Sequence, residues 1–395
     1  MSQKKPSLLF PLLLVLYEIA TYLSNDMYLP ALPQLMRELN LTQQQAQLTL
    51  TTWFAGQASL PLIMGVISDR YGRKPVLLIS GIIYIIATVI CALTTHFYVL
   101  MIARAVEGGM VAAMLVCGYA CIHELYEQKD AIRILAMMGS IVVLAPALGP
   151  LAGSIVLYFT NWRGIFWLIA FLAFLSIALL AKFMPETHPL EKRSPLHWAM
   201  LFKRYGRIIS HTTFMQLMMV LGFIFGGWIT WITAGPLLII ENFHHTPLSF
   251  GLIQAAIFSV YILGNRCIKY LLTAMEVNMI IRLGLIISLI GGLLALVLSL
   301  IFPAQLSPFL GGMAVYSFGS ALCFAPLNRL IIESSTESMG AKVAMFTVFL
   351  TLFAVLGSIS SSIFFNGSVI SLACLISSAI LISSLLKMIP TFKSV

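Results

Sequence analysis

The sequence predicts an all-α polytopic membrane protein of twelve transmembrane helices in two six-helix bundles. Three observations carry that prediction. First, 60% of the 395 residues are hydrophobic and only 9% are charged, against ~45–50% and ~25% in ordinary soluble domains. A soluble chain of this length cannot keep so much apolar surface from water. That excludes a cytosolic enzyme, a nucleic-acid binder and a disordered scaffold. Second, the apolar residues form continuous helix-length runs, without the ~10-residue alternating segments of an outer-membrane barrel. Third, dividing the length by a span of ~20–25 residues plus a short loop gives roughly twelve passages.

Polar punctuation places the spans at about 8–34, 45–67, 76–95, 97–122, 131–158 and 162–184, then at 208–240, 247–271, 278–302, 307–332, 342–364 and 368–388. The first run includes an extension past the lipid. Lys4 and Lys5 precede an apolar stretch long enough to span, and no small-residue site closes it, so no cleavable signal is expected. Of the 23 Lys and Arg residues, twenty fall on one side, Arg37 and Arg163 on the other, and Arg104 within a span. Positive residues stay cytoplasmic, so both termini are placed inside and the span number is even. The net charge of +9 is then a topology signal, and no nucleic-acid partner is called for.

The longest polar interruption, 185–207, divides the chain into an N-terminal bundle (1–184) and a C-terminal bundle (208–395). It reads as a cytoplasmic linker containing Pro185, Pro189 and Pro195, and its part from Pro195 to Arg207 reads as a short amphipathic interfacial helix. Six spans, a linker and six spans fit transporters built from two bundles around a midplane site. The six cysteines lie in predicted spans with no C-x-x-C pair and no His-rich cluster. They read as small apolar residues, and neither disulfide, metal nor cofactor is expected.

Charges inside spans are costly and are therefore functional candidates. Glu18 and Asp26 share the first span, in LYEIATYLSNDMYLP. Eight residues put them about 12 Å apart along the axis and about 80° apart around it. Tyr22 lies between them, four residues from each, and Asn25 flanks the second. Desolvation disfavours a charged carboxylate, so an arriving cation and a proton compete for such a group. That competition couples uphill export to proton entry, and structural hydrogen bonding to neighbouring helices is the alternative role. In the fourth span Arg104 is followed by Glu107 one turn later. A buried Arg needs acceptors, which Glu107 or Asp26 can supply. Its role is either to bias the protonation of the acids or simply to pack as an internal pair. Glu124, near the end of that helix, reads as a solvated interfacial carboxylate.

Two further segments suggest a gate. GVISDRYGRKP, 65–75, reads as the loop between spans two and three. Gly65 and Gly72 permit a tight turn, and Asp69 sits among Arg70, Arg73 and Lys74. An acid there can meet the N-terminus of a neighbouring helix and join the two bundles. A purely topological basic loop leaves Gly65, Asp69 and Gly72 unexplained. In the fifth span, Pro146, Gly149, Pro150 and Gly153 predict a bent, closely packed helix, suited to a moving interface or to static packing. Tyr119, Met138, Trp228 and Trp231 are either pocket-lining or core residues, and Asn265 is a candidate contact from the second half.

Together these segments resemble the major facilitator superfamily, and more narrowly its twelve-span drug/proton antiporters. The likeness rests on GVISDRYGRKP, ALGPLAG and YEIATYLSNDMYLP, continues through RAVEGG and GYACIHE to GPLLII, and is strongest before residue 190. The resemblance implies that Glu18 and Asp26 are the proton- and drug-linked acids, modulated by Arg104. It makes Tyr22, Asn25, Tyr119 and Met138 cavity residues and Asp69 part of a cytoplasmic gate. Two positions depart from it: Ser154 stands where a second Gly is usual, and Glu107 where Gln is usual. The added acid alters the charge balance around Arg104.

The function so predicted is a multidrug exporter, exchanging small lipophilic, often cationic compounds for protons by alternating access. The expected setting is membrane lipid, as a monomer in a bacterial inner membrane. A dedicated metabolite or siderophore exporter is the nearest rival, and a proton-coupled importer the next. A membrane enzyme would require a metal cluster or a nucleophile–base set, and the sequence offers neither.

Overall fold

The computed structural model describes residues 9–188 and 198–389, and the described residues fold into helices joined by short turns. Lys4, Lys5, Lys393 and the linker positions 189–197, with Pro189 and Pro195, lie outside the described residues. Helix α1 (Leu9–Asp26) is shorter than the apolar run implied. Pro30 and Pro33 each lack an N–H donor, so the chain breaks into a tight turn, Leu29–Ala31, and a separate short α2 (Leu32–Glu38). Helix α3 (Gln43–Ser59) begins with a capping box in which Thr42 and Gln45 satisfy each other's backbone N–H.

The second span is one apolar run in the sequence but two helices in space. Pro61 cannot bond back to the preceding turn, and α4 (Pro61–Tyr71) leaves α3 at 47°. The expected 65–75 loop is corrected as well. The helix continues to Tyr71 and α5 (Arg73–Leu93) starts at once, so Gly72 alone makes the turn. Its φ of 99° explains why glycine stands there. Helix α6 (Phe97–Ala113) runs through wider turns at Met114–Gly118 into α7 (Tyr119–Leu125). Helix α8 (Gln128–Phe159) contains Pro146 and Pro150 and bends by 43° just before them, as a missing N–H requires. Helix α9 (Trp162–Phe183) is capped by the Asn161 side chain.

Helix α10 (Trp198–Ile209) covers the described part of the segment expected to be helical after Pro195. Helix α11 (Thr212–Pro236) extends through wider turns to Asn242. There follow α12 (Pro247–Leu271), α13 (Val277–Ile301), α14 (Leu306–Glu333), α15 (Met339–Phe364) and α16 (Val369–Met388). Among the described residues nine of these helices are long and apolar enough to cross a membrane, and the two bent pairs raise the number to eleven. Helix α1, diluted by Glu18, Asn25 and Asp26, is not among them, and the count is consistent with the expected twelve. The outer faces are apolar, with Ile79, Ile83, Ile86 and Ile90 of α5 exposed, as lipid-facing residues should be.

In the first half α1 packs on α8 and α9, α5 on α6 and α9, and α3 on α6. In the second, α13 packs on α14 and α16, α11 on α15 and α16, and α12 on α14. The halves meet along two seams, α3 against α15 and α8 against α12. On the first seam Thr51 and Ser358 hydroxyls lie 2.7 Å apart, and Ser361 donates to Gln47 at 3.2 Å. On the second, Ser154 Oγ donates to the Pro247 carbonyl at 2.7 Å. A Cβ at Gly251 would stand 2.8 Å from the Leu151 Cα, so α12 comes against the α8 backbone itself. Arg37 and Glu241 pair across the halves at 3.4 Å, at this same end of the molecule.

Candidate functional site: the buried acids of the first helix

Helix α1 carries its polar residues into the interior of the first half. Glu18 is fully buried. Its Oε1 accepts a 2.9 Å hydrogen bond from the Tyr119 hydroxyl, and its Oε2 has no partner. Tyr119 is the first residue after the wider turns Met114–Gly118, so that local widening sets where its ring starts down α7. Tyr22, half-buried, lies on α1 between the two acids.

Asp26, 4% exposed, is pressed against α8. A Cβ on Gly149 would stand 2.5 Å from the Asp26 Cβ, and one on Gly153 would stand 2.1 Å from the Met27 carbonyl oxygen. The α8 glycines therefore serve a specific contact: they receive the last turn of α1. Pro146 and Pro150 shape the same helix.

Arg104 is fully buried, and its charge partner is Glu107, with Nη1 to Oε2 at 2.6 Å. The Glu107 Oε1 accepts from Thr88 at 2.7 Å. Arg104 also donates to the Ser24 carbonyl and to the Asn25 Oδ1, both at 3.2 Å. Its guanidinium lies among the rings of Tyr28 (5.0 Å), Phe166 (5.7 Å) and Trp53 (5.9 Å). Of the two acceptors considered from the sequence, Glu107 is the one in salt-bridge contact. Asn25, expected to line a cavity, is 5% exposed and gives its side-chain oxygen to Arg104.

The remaining expected contacts are not gathered at this group. Met138 is fully buried on α8. Trp231 is buried in the second half, where its Nε1 donates to Gln254 Oε1 at 2.7 Å and its ring lies 5.9 Å from that of Phe309. Asn265 is half-buried near the other end of α12. Gln254 was missed from the sequence. It is fully buried and its Nε2 has no partner. A lone Gln in the apolar run FGLIQAAIF was the available signal.

The 65–75 segment forms a second cluster. Arg73 pairs with Asp69 at 2.6 Å and with Glu124 at 3.2 Å, and also donates to the Ser68 hydroxyl. Glu124 is thus an ion-pair partner, where a solvated carboxylate was expected. Glu186, also missed, accepts from the Arg73 and Lys74 backbone N–H groups at 3.0 and 3.2 Å, capping α5. Arg70 is exposed and lies over the Tyr71 ring. Gly65 sits inside α4, in ordinary contact with Val116. In this conformation the ion pair of Asp69 lies within its own half.

Membrane-length apolar helices in two halves, one half holding buried acids beside an arginine, define a polytopic membrane transport protein. The chain belongs to the Major Facilitator Superfamily, whose family model matches residues 14–358. Among its relatives is the multidrug transporter MdfA of Edwardsiella piscicida, 32% identical over 348 residues, covering 87% of this chain and 84% of that one. The chloramphenicol resistance protein CraA of Acinetobacter baumannii is 30% identical over 347 residues, covering 88% and 83%. The fold also matches an inward-facing, occupied bacterial homolog of the human lysosomal transporter Spinster, with TM-score 0.75 and 14% identity, covering 98% of this chain and 95% of that one.

Proposed function

We propose that this protein is a multidrug efflux transporter that exchanges lipophilic, often cationic compounds for protons by alternating access. The observation that carries the reading is Glu18: a fully buried carboxylate with one oxygen held by Tyr119 and the other unpartnered. Such a group favours a neighbouring proton or cation, and occupancy by one displaces the other. Asp26 is the second exchanging acid, and Arg104 sets the electrostatic background for both. Tyr22 and Tyr119 meet the substrate beside Glu18, and Asn25, Met138, Trp231 and Asn265, which are not gathered there in this conformation, join the substrate surface as the halves move. Relatives whose names refer to multidrug transport and chloramphenicol resistance support small lipophilic cargo.

The halves, 1–184 and 208–395, rock about the linker 185–207. Gly65, Asp69, Arg70, Gly72 and Arg73 gate one end, and α8, bent near Pro146 and Pro150 and held to α1 at Gly149 and Gly153, carries the moving seam against α12. By the distribution of Lys and Arg both termini are cytoplasmic, and the bacterial relatives support a bacterial inner membrane, where we place the protein as a monomer. The joined end, with Arg37 and Glu241, then faces outward, and the conformation is closed to the outside.

The test is reconstitution in vesicles with an imposed pH gradient and a panel of fluorescent cations and neutral drugs. Gradient-driven transport of several unrelated compounds, lost in Glu18→Gln, supports the proposal. A response to one metabolite alone favours a dedicated exporter.

A further inference from the structure

Glu107 is a third buried carboxylate in the first half, and proton exchange by Glu18 and Asp26 gives it no role. Its surroundings specify one. Both oxygens are engaged, Oε2 by Arg104 at 2.6 Å and Oε1 by Thr88 at 2.7 Å, and neither member of the ion pair is exposed. The other contacts of Arg104 go to α1, at Ser24 O and Asn25 Oδ1, in the turn that carries Asp26. From α5 the titratable groups facing the pair are Tyr84 and Cys91, and from α1 and its extension Asp26 and Tyr28. Helix α3 contributes Trp53 and α9 contributes Phe166. Around the guanidinium, Glu107 and Asp26 are therefore the two candidate counter-charges, and Glu107 holds the contact.

We infer that Glu107 is a positioning residue of the exchange site. As the buried counter-ion of Arg104, it lets the arginine grip the α1 turn beneath Asp26 without neutralising the Asp26 carboxylate. This rests on the exchanger reading above and extends it. A glutamine at 107 keeps the shape and the acceptor for Arg104 but removes the charge. The arginine is then balanced by Asp26, whose ionised form is favoured, and proton exchange shifts toward lower pH.

The experiment is an infrared pH titration of the carboxylic-acid band in purified protein in lipid, assigned by its loss in Asp26→Asn. A parallel pH profile of proton release follows binding of tetraphenylphosphonium. Glu107→Gln is expected to lower the Asp26 midpoint by about one pH unit, or tenfold in proton affinity. The double variant Arg104→Gln/Glu107→Gln, which removes both charges together, is expected to restore it. An unchanged midpoint in a folded Glu107→Gln protein overturns the inference. Should that variant fail to fold, Thr88→Val gives the answer. It removes the hydrogen bond that favours the ionised form of Glu107, so part of that charge is lost and a smaller shift in the same direction is expected; no shift overturns the inference. Failure of the exchanger reading is separable: the unaltered protein would release no proton on binding, while the infrared midpoints still report on Glu107.

Discussion

The Tyr119 hydroxyl donates to Oε1 of Glu18 across 2.9 Å, tying α7 to α1 at the buried acid of the first span. A hydrogen bond to a charged group is worth about 1.5–3 kcal/mol net. Tyr119→Phe removes it with little change in volume. We expect a folded protein whose gradient-driven transport falls roughly tenfold, the lower end of that range. Uptake by reconstituted vesicles checks this, and transport equal to the unaltered protein would separate Tyr119 from the mechanism.

The contact of α1 with α8 depends on two missing methyl groups. Gly149→Ala places a Cβ 2.5 Å from that of Asp26, and Gly153→Ala places one 2.1 Å from the Met27 carbonyl. The helices have to separate, and overpacking of this kind costs about 1–3 kcal/mol. Both variants should melt at lower temperature in detergent and transport more slowly. Gly139→Ala is the control, because nothing lies within 4 Å of a Cβ there.

The seams between the halves predict a population shift. The Arg37–Glu241 pair, exposed at Arg37 and half-buried at Glu241, is single and 3.4 Å long and is worth about 1 kcal/mol, so Glu241→Gln should alter stability little. Thr51 and Ser358 are buried and bonded to each other at 2.7 Å. Thr51→Val leaves Ser358 with fewer partners and should favour separation of the joined ends. Spin-label distances between the outer ends of α3 and α15 would lengthen in that variant and stay unchanged in Glu241→Gln.

Much of this architecture is legible in the sequence because lipid imposes a simple rule: every span must be a long apolar helix. The expected run 247–271 coincides with α12, Pro247–Leu271. What apolarity cannot convey is where a helix bends or splits. Pro61 and Pro30 were visible but were absorbed into longer runs, and Gly72 alone proved enough to turn the chain. The buried charges were legible for the same reason as the spans, since each is an exception to the rule. Their partners were legible only in part. Glu107 was one of the two acceptors weighed for Arg104, but that Glu124 and Glu186 both engage Arg73, and that Trp231 bonds Gln254, depends on packing between helices distant in sequence.

The most direct test of the central claim is proton release by purified protein in weakly buffered solution when tetraphenylphosphonium is added. If Glu18 and Asp26 exchange protons for cargo, the unaltered protein acidifies the solution on binding. Glu18→Gln with Asp26→Asn should abolish that signal. Release of the same size from the double variant would contradict the account.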